Sequence, residues 1–92
     1  MSWNTRVDCR DARRGWSCSV TVGDDPDATT HEVTVTSEEL ARLRPGDATP
    51  DSLVADAFAF LLAREPRESI LRSFDLPVIG RYFPDWEREI ER

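Results

Sequence analysis

The sequence predicts an α+β fold, a three-stranded antiparallel meander over about residues 3–36 followed by helices packed on one of its faces. Three observations point there. Period-two alternation is confined to the N-terminal part, helix-start signals appear only from Thr36 onward, and a wide apolar arc lies between Leu53 and Leu62.

The strands come first. Trp3, Thr5, Val7 and Cys9 alternate with polar residues, as do Trp16, Cys18, Val20 and Val22, and then Val33 and Val35. ARRG at 12–15 reads as the first turn, and the acidic GDDPDATT at 23–30 as a longer second one. The expected buried face carries Val7, Cys18, Val20, Val33 and Val35, and the wet face Ser17, Ser19, Thr21, Glu32 and Thr34.

The helices follow. Thr36-Ser37-Glu38-Glu39 has the capping-box pattern and starts a helix over about 37–44, which Pro45-Gly46 stops. Thr49-Pro50-Asp51 starts a second helix over about 50–64, with Thr as N-cap and Pro in the first turn. Within it, Leu53, Val54, Phe58, Phe60, Leu61 and Leu62 spread over more than half of the helix circumference. Such a helix must be covered on two sides, and a sheet supplies only one. Beyond Pro66, helices are expected at about 66–74, supported by Glu68 and Arg72 at i, i+4, at about 76–82 behind Asp75, and at about 84–91 opened by Pro84.

With 92 residues the chain suffices for a single domain, 1–92, near the size at which burial only just offsets chain entropy. It is 39% hydrophobic and 33% charged, with a net charge of −6 that disfavours nucleic acid as a partner. MSWNTRVDCRDARR has no apolar h-region, and the apolar stretch from Leu53 to Ala63 contains Asp56 and is too short to span a bilayer. Two cysteines in this setting read as free thiols in a reducing cytoplasm, with no membrane partner.

No residue constellation supports catalysis, a metal or a cofactor. Cys9 and Cys18 lie opposite each other if the first hairpin closes with a two- or four-residue loop, but C-x8-C is not a usual zinc spacing; buried free thiols are the expected state. His31 shares parity with Val33 and Val35 and reads as a partly buried imidazole at a strand edge; no nucleophile elbow accompanies it. The carboxylates of GDDPD lack the alternate spacing of a calcium loop and read as a solvated turn. HEVTVTSEELARL followed by SLVADAFAFLLARE resembles the ribbon-helix-helix DNA-binding module, which would make the protein a transcriptional regulator or antitoxin. Glu32 on the outward strand face, a short first helix and two preceding strands depart from that pattern.

FLLAREPRESILRSFDLPVIGRYFP, Phe60 to Pro84, resembles a family of small bacterial proteins of uncharacterised function. The shared signature is FLL-x-REP-x-ESIL-R-x-FDL-x-VI-x-RYFP. The resemblance implies relatives and a common fold, and it brings no activity, cofactor or site residues.

The stretch FDLPVIGRYFPDW holds four of the eight aromatic residues. Phe74, Leu76 and Ile79 are expected to cover the second side of helix 50–64. Of Tyr82, Phe83 and Trp86, at least one is expected to keep an exposed face and bind a protein partner or a second copy in a homodimer, with Trp86 as an anchor that costs little stability when truncated. The expected function is therefore a non-enzymatic protein-interaction module, with a ribbon-helix-helix-like regulator or antitoxin and a small enzyme of unknown reaction as the alternatives.

Overall fold

The structure, a computed structural model, describes residues 4–46 and 48–90. Trp3, with which the meander was expected to begin, and residue 91, the expected end of the last helix, lie outside the described residues. The elements in chain order are β1 (Thr5–Ala12), β2 (Gly15–Val22), β3 (Thr29–Thr36), α1 (Ser37–Leu43), α2 (Pro50–Leu62), β4 (Ser73–Asp75), α3 (Ile79–Tyr82) and α4 (Trp86–Ile90), with short 3-10 turns at Arg67–Ser69 and Leu76–Val78.

The α+β class holds, and the sheet is larger than expected. Four strands stand in the order β1-β2-β3-β4, the first three antiparallel and β4 parallel to β3. The expected helix over 66–74 is corrected: it is a single 3-10 turn that opens into β4. The edge of β3 supplies the reason. Its unpaired backbone groups recruit the extended chain, with the Glu32 N–H donating to the Arg72 carbonyl at 2.7 Å and the Thr34 hydroxyl donating to Asp75. Glu68, expected to pair with Arg72, accepts from Arg67 Nε instead.

Two residues, Arg13 and Arg14, turn the first hairpin, so Ala12 pairs with Gly15 and Cys9 lies directly opposite Cys18. The turn runs close beneath the end of β3. A Cβ at Gly15 would collide with the Val35 carbonyl oxygen, and the Ser37 N–H donates to the Arg14 carbonyl. The expectation of free thiols is overturned: Cys9 and Cys18 form a disulfide, with Cα atoms 4.0 Å apart. The two-residue loop is what aligns them. Loop-closure entropy for so short a hairpin assigns this cross-link about 2.5 kcal/mol.

α1 begins on the expected capping box, in which Thr36 Oγ1 accepts from the Glu39 N–H and the Glu39 carboxylate accepts from the Thr36 N–H. α2 begins with Thr49 accepting from the Ser52 N–H and with Pro50 in its first turn. Of the six apolar residues expected on its arc, Leu53, Val54, Phe58, Phe60 and Leu61 are buried and Leu62 is half-buried. One side of α2 faces Cys18, Val20, Val22, Val33 and Val35 on the sheet, all buried, while Val7 on the edge strand is half-buried. The other side is covered by the C-terminal segment, where Leu76, Ile79, Trp86 and Ile90 join the same core and Phe74 packs against it half-buried.

Phe58 and Trp86 are the two largest side chains in that core that are essentially solvent-free; Phe58 packs on His31 and Trp86 on Phe60. Phe58→Ala and Trp86→Ala are each expected to lower unfolding free energy by about 3–5 kcal/mol in chemical denaturation. A loss below about 1 kcal/mol for Trp86→Ala would mean that the C-terminal segment is not part of the core.

Candidate functional site

α2 ends at Leu62 with Ala63 as its C-cap, Pro66 precedes the 3-10 turn, and the residue after Pro66 is buried. Arg67 is 4% exposed, and its guanidinium donates to the Val22 carbonyl at 3.1 Å and to both carboxylate oxygens of Asp25 at 3.1 and 3.2 Å. The turn after α2 is thereby tied to the loop between β2 and β3. Gly23 makes room for it: its φ is +95°, and a Cβ there would collide with the guanidinium. The hydrogen bond from Arg67 holds the Asp25 carboxyl below its ordinary range, against the opposing effect of burial.

From this anchor one 3-10 turn, Arg67–Ser69, leads into extended chain at Ile70 and on to β4. Ile70 turns inward, Leu71 outward, and the Leu71 carbonyl lies 2.8 Å from His31 Nδ1. A carbonyl only accepts, so Nδ1 carries a proton, while Nε2 meets the Thr29 hydroxyl at 2.9 Å. His31 is 1% exposed and its ring lies 5.3 Å from that of Phe58. The expectation of a partly buried imidazole at a strand edge is corrected, because the segment leading into β4 covers it.

The last turn of α2, β4 with the segment before it, and α3 enclose a groove of about 380 Å³. Leu61, Ile70 and Ile79 form its buried floor, Leu71, Phe74, Tyr82 and Phe83 its walls, and Glu65 and Ser69 stand at its polar rim. The expected interaction residues divide here. Tyr82 is 67% exposed and lines the groove, and Phe83 is half-buried and lines it too, its ring edge-on to Phe60 at 5.7 Å. Trp86 is corrected from a surface anchor to a core residue: it is 1% exposed, edge-on to Phe60 at 5.4 Å, and outside the groove. Pro84 and the turn that follows it bring Trp86 onto Phe60, whose ring is also covered by the Arg64 guanidinium at 3.6 Å.

Sequence reasoning missed Leu71 as a wall. The sequence assigns it to the helix expected over about 66–74; in the extended segment its neighbour Ile70 takes the inward position and Leu71 turns out. It also missed Arg44, which is buried at the end of α1, where it donates to the Ile90 carbonyl at 2.8 Å and to Asp56 at 2.7 Å, fixing α4 against α2.

On the open face of the sheet, Glu32 accepts from Ser19, from Ser17 at 3.2 Å and from Arg10 at 3.4 Å. The Ser19 hydroxyl, with Ser17 and Arg10 behind it, keeps the Glu32 carboxyl below its ordinary range against the effect of burial. Among the described residues, no three His, Cys, Asp or Glu side chains converge as metal ligands do, and no helix is long and apolar enough to cross a membrane. Comparisons with protein-family models, with curated proteins and with solved structures find no match to this chain.

Asp25 and Glu32 fix the direction of the pH dependence. A carboxyl whose pKa is lowered by folding stabilises the fold above its ordinary range, and that contribution is lost as pH falls toward the depressed value. Thermal denaturation as a function of pH is expected to show stability falling on the acid side, with a shallower fall in Asp25→Asn, which is also less stable at neutral pH. An acid limb of identical steepness in that variant would mean that the Arg67 contact does not contribute.

Proposed function

We propose that this protein is a non-enzymatic interaction module that takes an apolar segment of a partner protein into the groove between α2, β4 and α3. One observation carries the reading. Among the described residues, the two large hydrophobic side chains left exposed, Leu71 at 46% and Tyr82 at 67%, both line this one groove. Single exposed apolar residues are ordinary, but two that flank a concave apolar floor form a continuous patch of the kind that marks a contact site. Tyrosine at such a rim offers a rigid apolar ring and a hydroxyl for little loss of conformational entropy.

The partner is expected to present two neighbouring apolar side chains with basic residues beside them. Glu65 stands at the groove rim, and the net charge of −6 favours encounter with a basic surface. The ribbon-helix-helix reading fits less well. The strand such a module pairs with a second subunit is β3 here, which lies between β2 and β4. Every residue lining the groove falls between Phe60 and Pro84, the stretch that resembles a family of small bacterial proteins, so relatives sharing the signature would share the groove. A bonded Cys9–Cys18 pair takes away the thiol argument for the cytoplasm, and the proposal carries no compartment.

A displayed library of short peptides selected against the folded protein provides the test. Selected peptides are expected to carry paired apolar anchors and to lose at least about tenfold in affinity against Leu71→Asp or Tyr82→Asp, with thermal stability unchanged. Peptides that bind these variants as well as the parent protein would place the interaction elsewhere and remove the proposal.

A further inference from the structure

The edge of the sheet far from the groove is β1. Among the described residues β1 has a neighbouring strand on one side only, β2. It runs for eight residues, Thr5–Ala12, long for an edge strand that is not blunted by proline or a bulge. The Gly23 N–H donates to the Asn4 carbonyl, which sets the phase of the ladder: even-numbered residues of β1 turn their backbone groups toward β2. Val7 and Cys9 therefore point theirs away from β2, along the outer edge.

Charge on this strand is arranged by sign. Arg6, Asp8 and Arg10 share the open face of the sheet, and Arg6 and Asp8 are exposed. Charges of one sign would repel any second copy and protect the edge. Alternating signs do the reverse in a particular register. In an antiparallel pair of β1 strands related by a twofold axis through Val7, Arg6 faces Asp8 of the second copy and Asp8 faces its Arg6. Val7 then meets Val7 through the outward backbone groups, so the two Arg–Asp pairs occupy the non-hydrogen-bonded positions, where opposed side chains come closest. Shifting the axis to Asp8 puts Asp8 against Asp8 and Arg6 against Arg10. Shifting it to Cys9 pairs Asp8 with Arg10, which already donates to Glu32 at 3.4 Å and Ser19 at 3.3 Å, and sets Val7 against Asp11. Only the Val7 register satisfies both charges and leaves the Arg10 contacts in place.

We propose that β1 is a homodimerisation edge, pairing antiparallel with β1 of a second copy about Val7 to make a continuous eight-stranded sheet, each copy supplying its four strands. The Cys9–Cys18 bond holds β1 in fixed register on β2, so the edge is presented with its charges in place. The groove lies at the opposite side of the fold, at β4, and is independent of this surface.

Sedimentation equilibrium over a concentration series tests the proposal on the full chain. The parent protein is expected to dimerise, and Asp8→Arg and Arg6→Asp are each expected to weaken the dimer by about tenfold or more, because each puts like charges opposite one another. The double swap Arg6→Asp/Asp8→Arg is expected to restore it, and an equimolar mixture of the two single variants to form a heterodimer. Both substitutions lie on the open face, so unchanged thermal melts of the three variants show that the monomer stays folded. A parent protein that is monomeric throughout, or a dimer indifferent to Arg6→Asp, overturns the proposal. Loss of dimer in Leu71→Asp would place self-association at the groove and overturn it as well.

Discussion

Helix α2 is apolar over more of its circumference than a sheet can cover, and the placement of every later element follows from that excess. The strands bury the side bearing Phe58, which packs on His31 at 5.3 Å and on Phe74 at 6.2 Å. Phe60, on the other side, has no sheet to meet. It is covered instead by Phe83, Trp86 and Arg64, all supplied from beyond the buried arc of the helix. A chain of this size has little burial to spare, and leaving that flank in water would forgo several of its largest apolar contacts.

Covering the second flank requires the chain to leave α2, cross to the sheet and come back, and two buried arginines fix that path. Arg67 secures the turn after α2 to Asp25 and the Val22 carbonyl, and Arg44 secures α4 through the Ile90 carbonyl and Asp56. Both guanidiniums are satisfied by several acceptors, as burial of such a group demands. Between these anchors β4 finds the open edge of β3. The groove is the space left where the returning chain arches over the end of α2, and so the feature that carries the proposed function is a by-product of how the core is closed.

Local patterns were legible in the sequence wherever the deciding contacts are local. The capping box at Thr36, the start at Thr49-Pro50, the turn at ARRG and the alternation of β2 and β3 each rest on residues a few positions apart. What was not legible depended on partners far along the chain. Ile70 to Phe74 reads as helical when taken alone and leads instead into β4, Ser73–Asp75, because β3, some forty residues earlier, offers an unpaired edge. Trp86 and Tyr82 are chemically alike as interface anchors, and only the turn after Pro84 decides which one meets Phe60. The disulfide hung on loop length: Cys9 and Cys18 align if the first hairpin closes with a two- or four-residue loop, and the sequence did not decide that length.

The central claim is that the C-terminal segment and α2 form one cooperative core. Native-state hydrogen exchange reads this directly through amides whose acceptors are known, Glu32 to the Arg72 carbonyl, Phe83 to that of Ile79 and Glu89 to that of Asp85, set against the interior amides of α2. The account predicts that the Glu32 and Phe83 amides exchange through the same global opening as the interior of α2, with similar denaturant dependence. Exchange of Glu32 and Phe83 through a separate low-energy opening, while α2 stays protected, would contradict it.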